Sequence, residues 1–238
     1  FMVSLHRKTE WDVEIPDDLD HKGCYLVDCN HQSWVDILAL QNAFNFKLPM
    51  LTFFIKKELI YVPFLGLAWW ALDFPFMQRL SREQLAKNPG LKGKDLESAR
   101  IACEKLKDIP VAMMSFPEGT RFSAEKRDKT RSPYSNLLKP KVGGIGVVLY
   151  ALGDKLQSMI DVTVVYPSKD GQGHAATFWE LLSGQTPKVV IRARELEIPS
   201  HLLGRNFRED RTIRKELESW INGIWEEKDA LVEQLKRL

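Results

Sequence analysis

The sequence predicts an α/β fold: a mostly parallel or mixed central sheet flanked by helices. Three observations carry this. Short apolar runs bounded by turn residues recur along the chain, and helical patterns alternate with them. At 238 residues, 44% hydrophobic and 28% charged, the chain is long and apolar enough to bury one sizeable core. It reads as a single domain over residues 1–238, with a motif-bearing core over about 25–167 and a C-terminal amphipathic helix over about 210–238.

Four strands are expected, at Tyr25–Cys29, Val111–Phe116, Asp161–Tyr166 and Lys188–Ala193, each a short apolar run between turn signals. Helices are expected at Ser33–Phe44, Gly93–Lys107 and Gly144–Leu152. From about Asp210 the apolar residues Ile213, Leu217, Trp220, Ile221, Ile224 and Leu231 recur at helical spacing, so that helix lays one face on the core. The stripe Arg205, Arg208, Arg211 and Arg214 leading into it reads as a solvated face, with contact to anionic lipid as the alternative. The charged stretch Lys126–Ser135 reads as a mobile loop.

The segment Phe53–Met77 is harder to place. Its run from Leu59 to Leu72 carries no charged residue, yet falls short of the ~20 residues a spanning helix needs. Pro63, Gly66 and Pro75 interrupt it. Two readings stand: a buried core hairpin, or a surface that partly enters a bilayer with Trp69 and Trp70 at headgroup level. In the second, Lys56 and Lys57 would meet anionic headgroups, at about 1 kcal/mol each.

Composition excludes some functions. A formal charge of +2 is too small to argue for nucleic acid by itself, and the chain is neither disordered nor broadly transmembrane. No signal peptide is visible; the opening Phe1-Met2-Val3 suggests a fragment or tag remnant, which leaves two alternatives: a membrane segment removed upstream, or docking by Phe53–Met77 and nearby surfaces. Cys24 and Cys29 point to opposite faces of a strand, so with Cys103 they read as isolated apolar residues in a reducing compartment. No cluster has metal-ligand spacing, and no nucleophile elbow or Walker lysine appears. Gly171-Gln-Gly-His-Ala-Ala176 has dinucleotide-fingerprint spacing but opens no convincing helix. His6, His21, His174 and His201 read as surface residues.

Two segments carry chemistry. In Asn30-His31-Gln-Ser33-Trp-Val-Asp36 a histidine and a carboxylate lie five residues apart, about 140° of rotation on a regular helix. They meet if His31 sits in a loop and the helix begins between them with Ser33 as N-cap. A carboxylate on one ring nitrogen then leaves the other as a base. Alternatively, Asp36 serves only the helix end, as a loose capping box. In Phe116-Pro-Glu118-Gly119-Thr120-Arg121 the glycine permits close backbone approach and the arginine fork matches phosphate oxygens. A surface turn with a Glu–Arg pair is the plain alternative. Lys139, Lys141, Gly143, Gly144 and Gly146 form either a second anion cradle or a glycine-rich helix start. Without an evident nucleophile, His31 suits activation of a substrate hydroxyl towards a thioester.

The chain resembles the PlsC-like glycerolipid acyltransferases. His31–Asp36 matches their H-x4-D motif, and Phe116–Arg121 their second hallmark. Lys57-Glu58-Leu59 with Pro63 and Gly66 is similar to the intermediate block, and Val164-Val165-Tyr166-Pro167 to the final one. Leu137-Leu138-Lys139-Pro140-Lys141 further resembles the lysophospholipid acyltransferase branch that includes bacterial YihG-type proteins. The resemblance implies a glycerol-3-phosphate acyltransferase-like fold, with His31 as general base and Asp36 as its orienting carboxylate. It implies Glu118, Gly119, Thr120 and Arg121 at the acceptor phosphate, with help from Lys57.

The implied activity is acyl transfer from acyl-CoA or acyl-carrier protein, as co-substrate and with no other cofactor or metal, to the free hydroxyl of lysophosphatidic acid. The implied partners are a lysophospholipid and a membrane surface, not nucleic acid, at the cytoplasmic face of the inner (cell) membrane. Alternatives are a remodelling acyltransferase with another headgroup acceptor, a non-catalytic lipid-binding membrane protein, and a thioester hydrolase.

Overall fold

In a computed structural model the described residues are 9–72, 74–77, 94–104, 106, 109–168 and 176–238. Six strands form one mixed sheet in the order β1-β8-β7-β2-β6-β3. They are β1 (Glu10–Glu14), β2 (Cys24–Cys29), β3 (Leu51–Thr52), β6 (Val111–Ser115), β7 (Ser158–Val165) and β8 (Lys188–Leu196). Strands β7, β2, β6 and β3 are mutually parallel; β8 pairs antiparallel with β7 and parallel with β1. A separate two-stranded ribbon pairs β4 (Ile55–Lys56) with β5 (Phe76–Met77). The expected α/β class with a mixed sheet is thus what forms.

Strand β7 is buried along its whole length, which is why Ser158–Val165 reads as an almost continuous apolar run. Helices cover both faces. On one, α1 (Val35–Ala43) buries Val35, Ala39 and Leu40 against Val27, Cys29 and Ile160. On the other lie α3 (Lys94–Glu104), α5 (Gly143–Leu152) and α7 (Arg211–Leu235), packed over Leu26, Met113 and Met159. Three short helices complete the described set: α2 (Leu65–Ala71), α4 (Ala124–Thr130) and α6 (Phe178–Ser183). Among the described residues no helix is long and apolar enough to cross a membrane.

Several expectations change. Lys126–Ser135 is not a loop throughout: α4 runs to Thr130, capped by Ser123 Oγ accepting from Lys126 N at 3.3 Å. Beyond it, Ser135 N and Asn136 N donate to the Asp229 carboxylate at 3.0 and 2.7 Å, pinning the segment to α7. A short helix, α6, does follow the glycine pair at 171–173, closed by a capping box between Thr177 and Glu180; residues 171–175 themselves lie outside the described set. Strand β1 was not foreseen, and neither were the two-residue strands.

The C-terminal helix is as expected: Asp210 caps it through Thr212 N and Ile213 N, and Ile213, Leu217, Ile221 and Ile224 are buried. The arginine stripe is exposed at all four positions, with Arg214 bound to Glu218 at 2.9 Å. Cys24 and Cys29 pack on opposite faces as free thiols. His21 and His201 are exposed; His6 and His174 lie outside the described residues.

One feature of α7 has no counterpart in its apolar pattern. Lys228 is fully buried, 2.7 Å from Asp161, 3.6 Å from Asp28, and donates to Val162 O at 2.8 Å. Asp28 and Asp161 are register partners on β2 and β7, and Arg194 opposite Asp161 on β8 binds it at 2.8 Å. A polar rung therefore crosses the sheet one layer below the end of β2. Burial opposes the lysine's charge, but Asp161 and Asp28 outweigh it and hold Lys228 protonated. Burial pushes the Asp28 carboxyl up, against the pull of Lys228 and with the push of Asp161.

Candidate active site

The two motifs leave the carboxyl ends of neighbouring parallel strands, β2 and β6, where open α/β sheets gather their sites. Backbone hydrogen bonds clasp them. His31 N donates to Glu118 Oε1 at 2.7 Å, and Phe122 N donates to His31 O at 2.7 Å. The imidazole also stacks on the Phe116 ring, 4.1 Å between centroids at 22°. Asn30 ties the same loop to the end of β7: its Nδ2 donates to Val164 O at 2.9 Å and Val164 N returns a bond to its Oδ1 at 2.8 Å.

His31 Nδ1 lies 2.8 Å from Asp36 Oδ2. The same oxygen accepts from Gln32 N at 2.7 Å and Ser33 N at 2.9 Å, while Oδ1 accepts from the Tyr166 hydroxyl at 2.6 Å. Asp36 is fully buried. The carboxylate therefore does more than serve the helix end: it accepts from the amides at the helix entry and also from the histidine ring. The expected N-cap moves by one residue, to Trp34 without a side-chain cap; Ser33 Oγ instead accepts from Val35 N at 3.1 Å and donates to Ala176 O. With Nδ1 engaged, Nε2 is the ring nitrogen left open, on a side chain 14% exposed. Burial and the neighbouring Asp36 push the Tyr166 phenol far up, so it stays a donor.

Glu118 departs from the expectation that it meets a phosphate. It is buried, and its two oxygens accept from His31 N and, at 2.8 Å, from Leu138 N. An anion already committed to two amides positions the turn and does not hold another anion. Burial pushes its carboxyl up to about 7, against the pull of those two amides.

Gly119 sits at φ +68°, a conformation that favours glycine, and an added Cβ would come within 3.1 Å of Lys141 Nζ. Thr120 Oγ1 accepts from Lys126 Nζ at 3.0 Å, and the same ammonium binds Arg121 O at 2.8 Å. Arg121 is exposed, its guanidinium 5.1 Å from the Trp34 ring centre. Lys141 is tied in by its amide to Pro117 O at 2.8 Å. The turn thus gathers Lys126 and Lys141 beside Arg121 and Gly119, and backbone bonds of His31 and Phe122 set it against the histidine loop. Lys57 opens a short 3-10 helix, Lys57–Tyr61; its side chain lies outside the described residues. Among the described residues no group of His, Cys, Asp or Glu is arranged to hold a metal ion.

A family model described as Acyltransferase matches residues 10–167, more than half of the chain. The chain belongs to the acyltransferase family. A yeast relative (Saccharomyces cerevisiae), the 2-acyl-1-lysophosphatidylinositol acyltransferase, is 28% identical, covering 87% of this chain and 60% of that protein. The human 1-acyl-sn-glycerol-3-phosphate acyltransferase delta is 23% identical, covering 89% and 53%. The chain therefore spans little more than half the length of these relatives. Among solved structures, the 1-acyl-sn-glycerophosphate acyltransferase PlsC of Thermotoga maritima superimposes with a TM-score of 0.52 at 19% identity, covering 100% of this chain and 81% of that one. That likeness establishes a shared fold.

Three members of this constellation escape a reading of the sequence. Tyr166 and Asn30 act across 130 and 134 residues, distances that spacing does not encode. Tyr166 nonetheless lies in the block Val164–Pro167, so the resemblance marked its position without its partner. Lys126 opens the charged stretch Lys126–Ser135, which by sequence reads as a loop.

Proposed function

We propose that this domain transfers a fatty acyl group from acyl-CoA or acyl-carrier protein to the free hydroxyl of a lysophospholipid, most simply lysophosphatidic acid. The observation that carries the reading is the 2.8 Å contact of His31 Nδ1 with a buried Asp36, clasped through the His31 backbone to the Glu118–Arg121 turn. Nε2 takes the proton of the acceptor hydroxyl as its oxygen attacks the thioester carbonyl. The tetrahedral intermediate collapses, the C–S bond breaks, and the imidazolium returns the proton to the leaving sulfur, releasing the thiol and restoring the neutral base. Asp36 keeps the ring in the needed tautomer and stabilises its charged form. Arg121, Lys126 and Lys141 supply charge for the acceptor phosphate, while Glu118 holds the turn against the histidine loop. The reaction needs no metal or covalent enzyme intermediate.

A larger headgroup is the second reading, favoured by the yeast relative, which is named for lysophosphatidylinositol. Work at a membrane surface, at the cytoplasmic face of the inner (cell) membrane, belongs to the same proposal. The test offers one acyl-CoA to a panel of lysophospholipids and identifies products by mass spectrometry. A new diacyl lipid is expected. Free fatty acid formed without acceptor would replace transfer by hydrolysis, and lipid binding without thioester turnover would leave a binding protein.

A further inference from the structure

The segment between β4 and β5 is neither a core hairpin nor an ordinary surface loop. Its interior is small: Ile55 and Phe74 are buried, and Phe74 meets Phe53 edge to face at 5.1 Å. Helix α2 lies directly on the 3-10 turn before it, because Gly66 has no Cβ to strike the Ile60 carbonyl. The large apolar side chains face outwards instead. Tyr61 is 83% exposed, Phe64 89%, Leu67 65% and Trp70 62%. Phe64, Leu67 and Trp70 follow at three-residue spacing, on one side of α2. Phe64 also holds φ +62°, a strained angle for a bulky residue. The fourteen residues from Leu59 to Leu72 contain no charge. A monomer gains nothing from such a face in water.

Its place in the fold says what covers it. Strand β3 runs parallel to β6 and ends at Thr52, opposite Met113. The chain therefore rises into β4 from the same edge of the sheet that carries His31 and the Glu118–Arg121 turn. Trp34 stands exposed at that edge too, beside Arg121. Past the site, residues Arg121–Lys141 hold seven Lys or Arg against two Asp or Glu, in a chain of net charge +2. An uncharged aromatic face, and a cationic flank that begins with Arg121 at the same edge, match the two layers of an anionic bilayer: acyl chains with an aromatic belt, and headgroups.

We propose that Tyr61, Phe64, Leu67 and Trp70 form a docking face that inserts into an anionic lipid bilayer, with the Arg121–Lys141 flank on its headgroups, and so sets the mouth of the site at the membrane surface. This rests on the acyl-transfer reading for its purpose, though not for its test. The acceptor then reaches His31 from the bilayer without crossing water.

The experiment floats the protein with phosphatidylcholine vesicles with and without phosphatidylglycerol, and assays acyl transfer to a vesicle-embedded acceptor and to a short-chain acceptor below its micellar concentration. Leu67→Asp and Trp70→Asp should each weaken flotation with anionic vesicles about tenfold or more. Both should lower transfer to the embedded acceptor in step while leaving the short-chain acceptor unaffected. Phe46→Asp, equally exposed but beyond the far end of α1, should float as the wild type does. Far-UV circular dichroism confirms folding, and Tyr61→Asp gives an independent substitution. Unchanged flotation of Leu67→Asp and Trp70→Asp overturns the proposal. So does a wild-type dimer that these substitutions dissociate without altering flotation. Flotation lost as expected, in a protein that transfers acyl groups to neither acceptor, would keep the docking face and remove the acyl-transfer reading.

Discussion

Replacing Asp36 by Asn separates the two duties that one carboxylate performs. Its Oδ2 accepts from His31 Nδ1, Gln32 N and Ser33 N, and its Oδ1 from Tyr166. Asparagine can keep a carbonyl oxygen facing the three donors, and its amide then meets a Tyr166 oxygen that must turn from donor to acceptor. The helix entry survives with neutral hydrogen bonds in place of charge-assisted ones, a loss of about 1–3 kcal/mol in stability. Catalysis loses more, because a neutral partner no longer stabilises the imidazolium formed when Nε2 takes the acceptor proton. A fall in kcat of about 10²–10⁴ is expected, that is about 3–5 kcal/mol of barrier. Urea unfolding measures the first effect, and thiol release from acyl-CoA at saturating acceptor the second. If Asp36 only served the helix end, stability would drop and kcat of the folded enzyme would not. Wild-type kcat in folded Asp36→Asn would leave Asp36 with the helix end alone.

Three further outcomes follow from the same geometry. Because the Glu118 carboxyl is raised from 4.5 to about 7, the native state holds more protons than the unfolded chain between those pH values. Its contribution to stability is therefore present at low pH and lost as pH rises through about 7, by about 3 kcal/mol in total. Glu118→Gln should flatten the pH dependence of the urea midpoint over that window, leaving the part due to Asp28. Lys228→Met strands Asp28 in the core and leaves Asp161 with Arg194 alone, and should cost about 3–5 kcal/mol in urea unfolding; adding Asp28→Asn should recover part of it. Arg121→Ala removes a guanidinium from the acceptor phosphate and should raise the apparent KM for lysophosphatidic acid about tenfold to a hundredfold, with a smaller change in kcat. An unchanged KM would take Arg121 out of the phosphate site.

The central strands were readable because burial on both faces leaves a dense apolar signature, as in Met159–Val165. Strand β1 was not: Glu10-Trp-Asp-Val-Glu14 lies at the sheet edge, where Asp12 and Glu14 bind Arg192 of β8, so its charges hide the pairing. Helix α4 has no buried residue and hence no amphipathic period, and it read as a loop. Lys228 sits in the apolar stripe of α7 only because two acids on the sheet receive it. Phe53–Met77 showed the limit of composition most plainly, since a core hairpin and an outward apolar face use the same residues. The site divides in the same way. His31, Asp36 and the Glu118–Arg121 turn stand out as local patterns. The fastening of Asn30 to Val164, of Tyr166 to Asp36, and of Glu118 to Leu138 is tertiary, and spacing carries no trace of it.

The proposed mechanism makes His31 the base and the two motifs halves of one acyl-transfer site. Its most direct test is kcat/KM of His31→Ala with a defined acyl-CoA and lysophosphatidic acid, beside a circular dichroism melt of the same protein. The geometry predicts a folded domain whose transfer falls about 10²–10⁴-fold, while vesicle flotation is unchanged. Near-wild-type transfer by folded His31→Ala would contradict it.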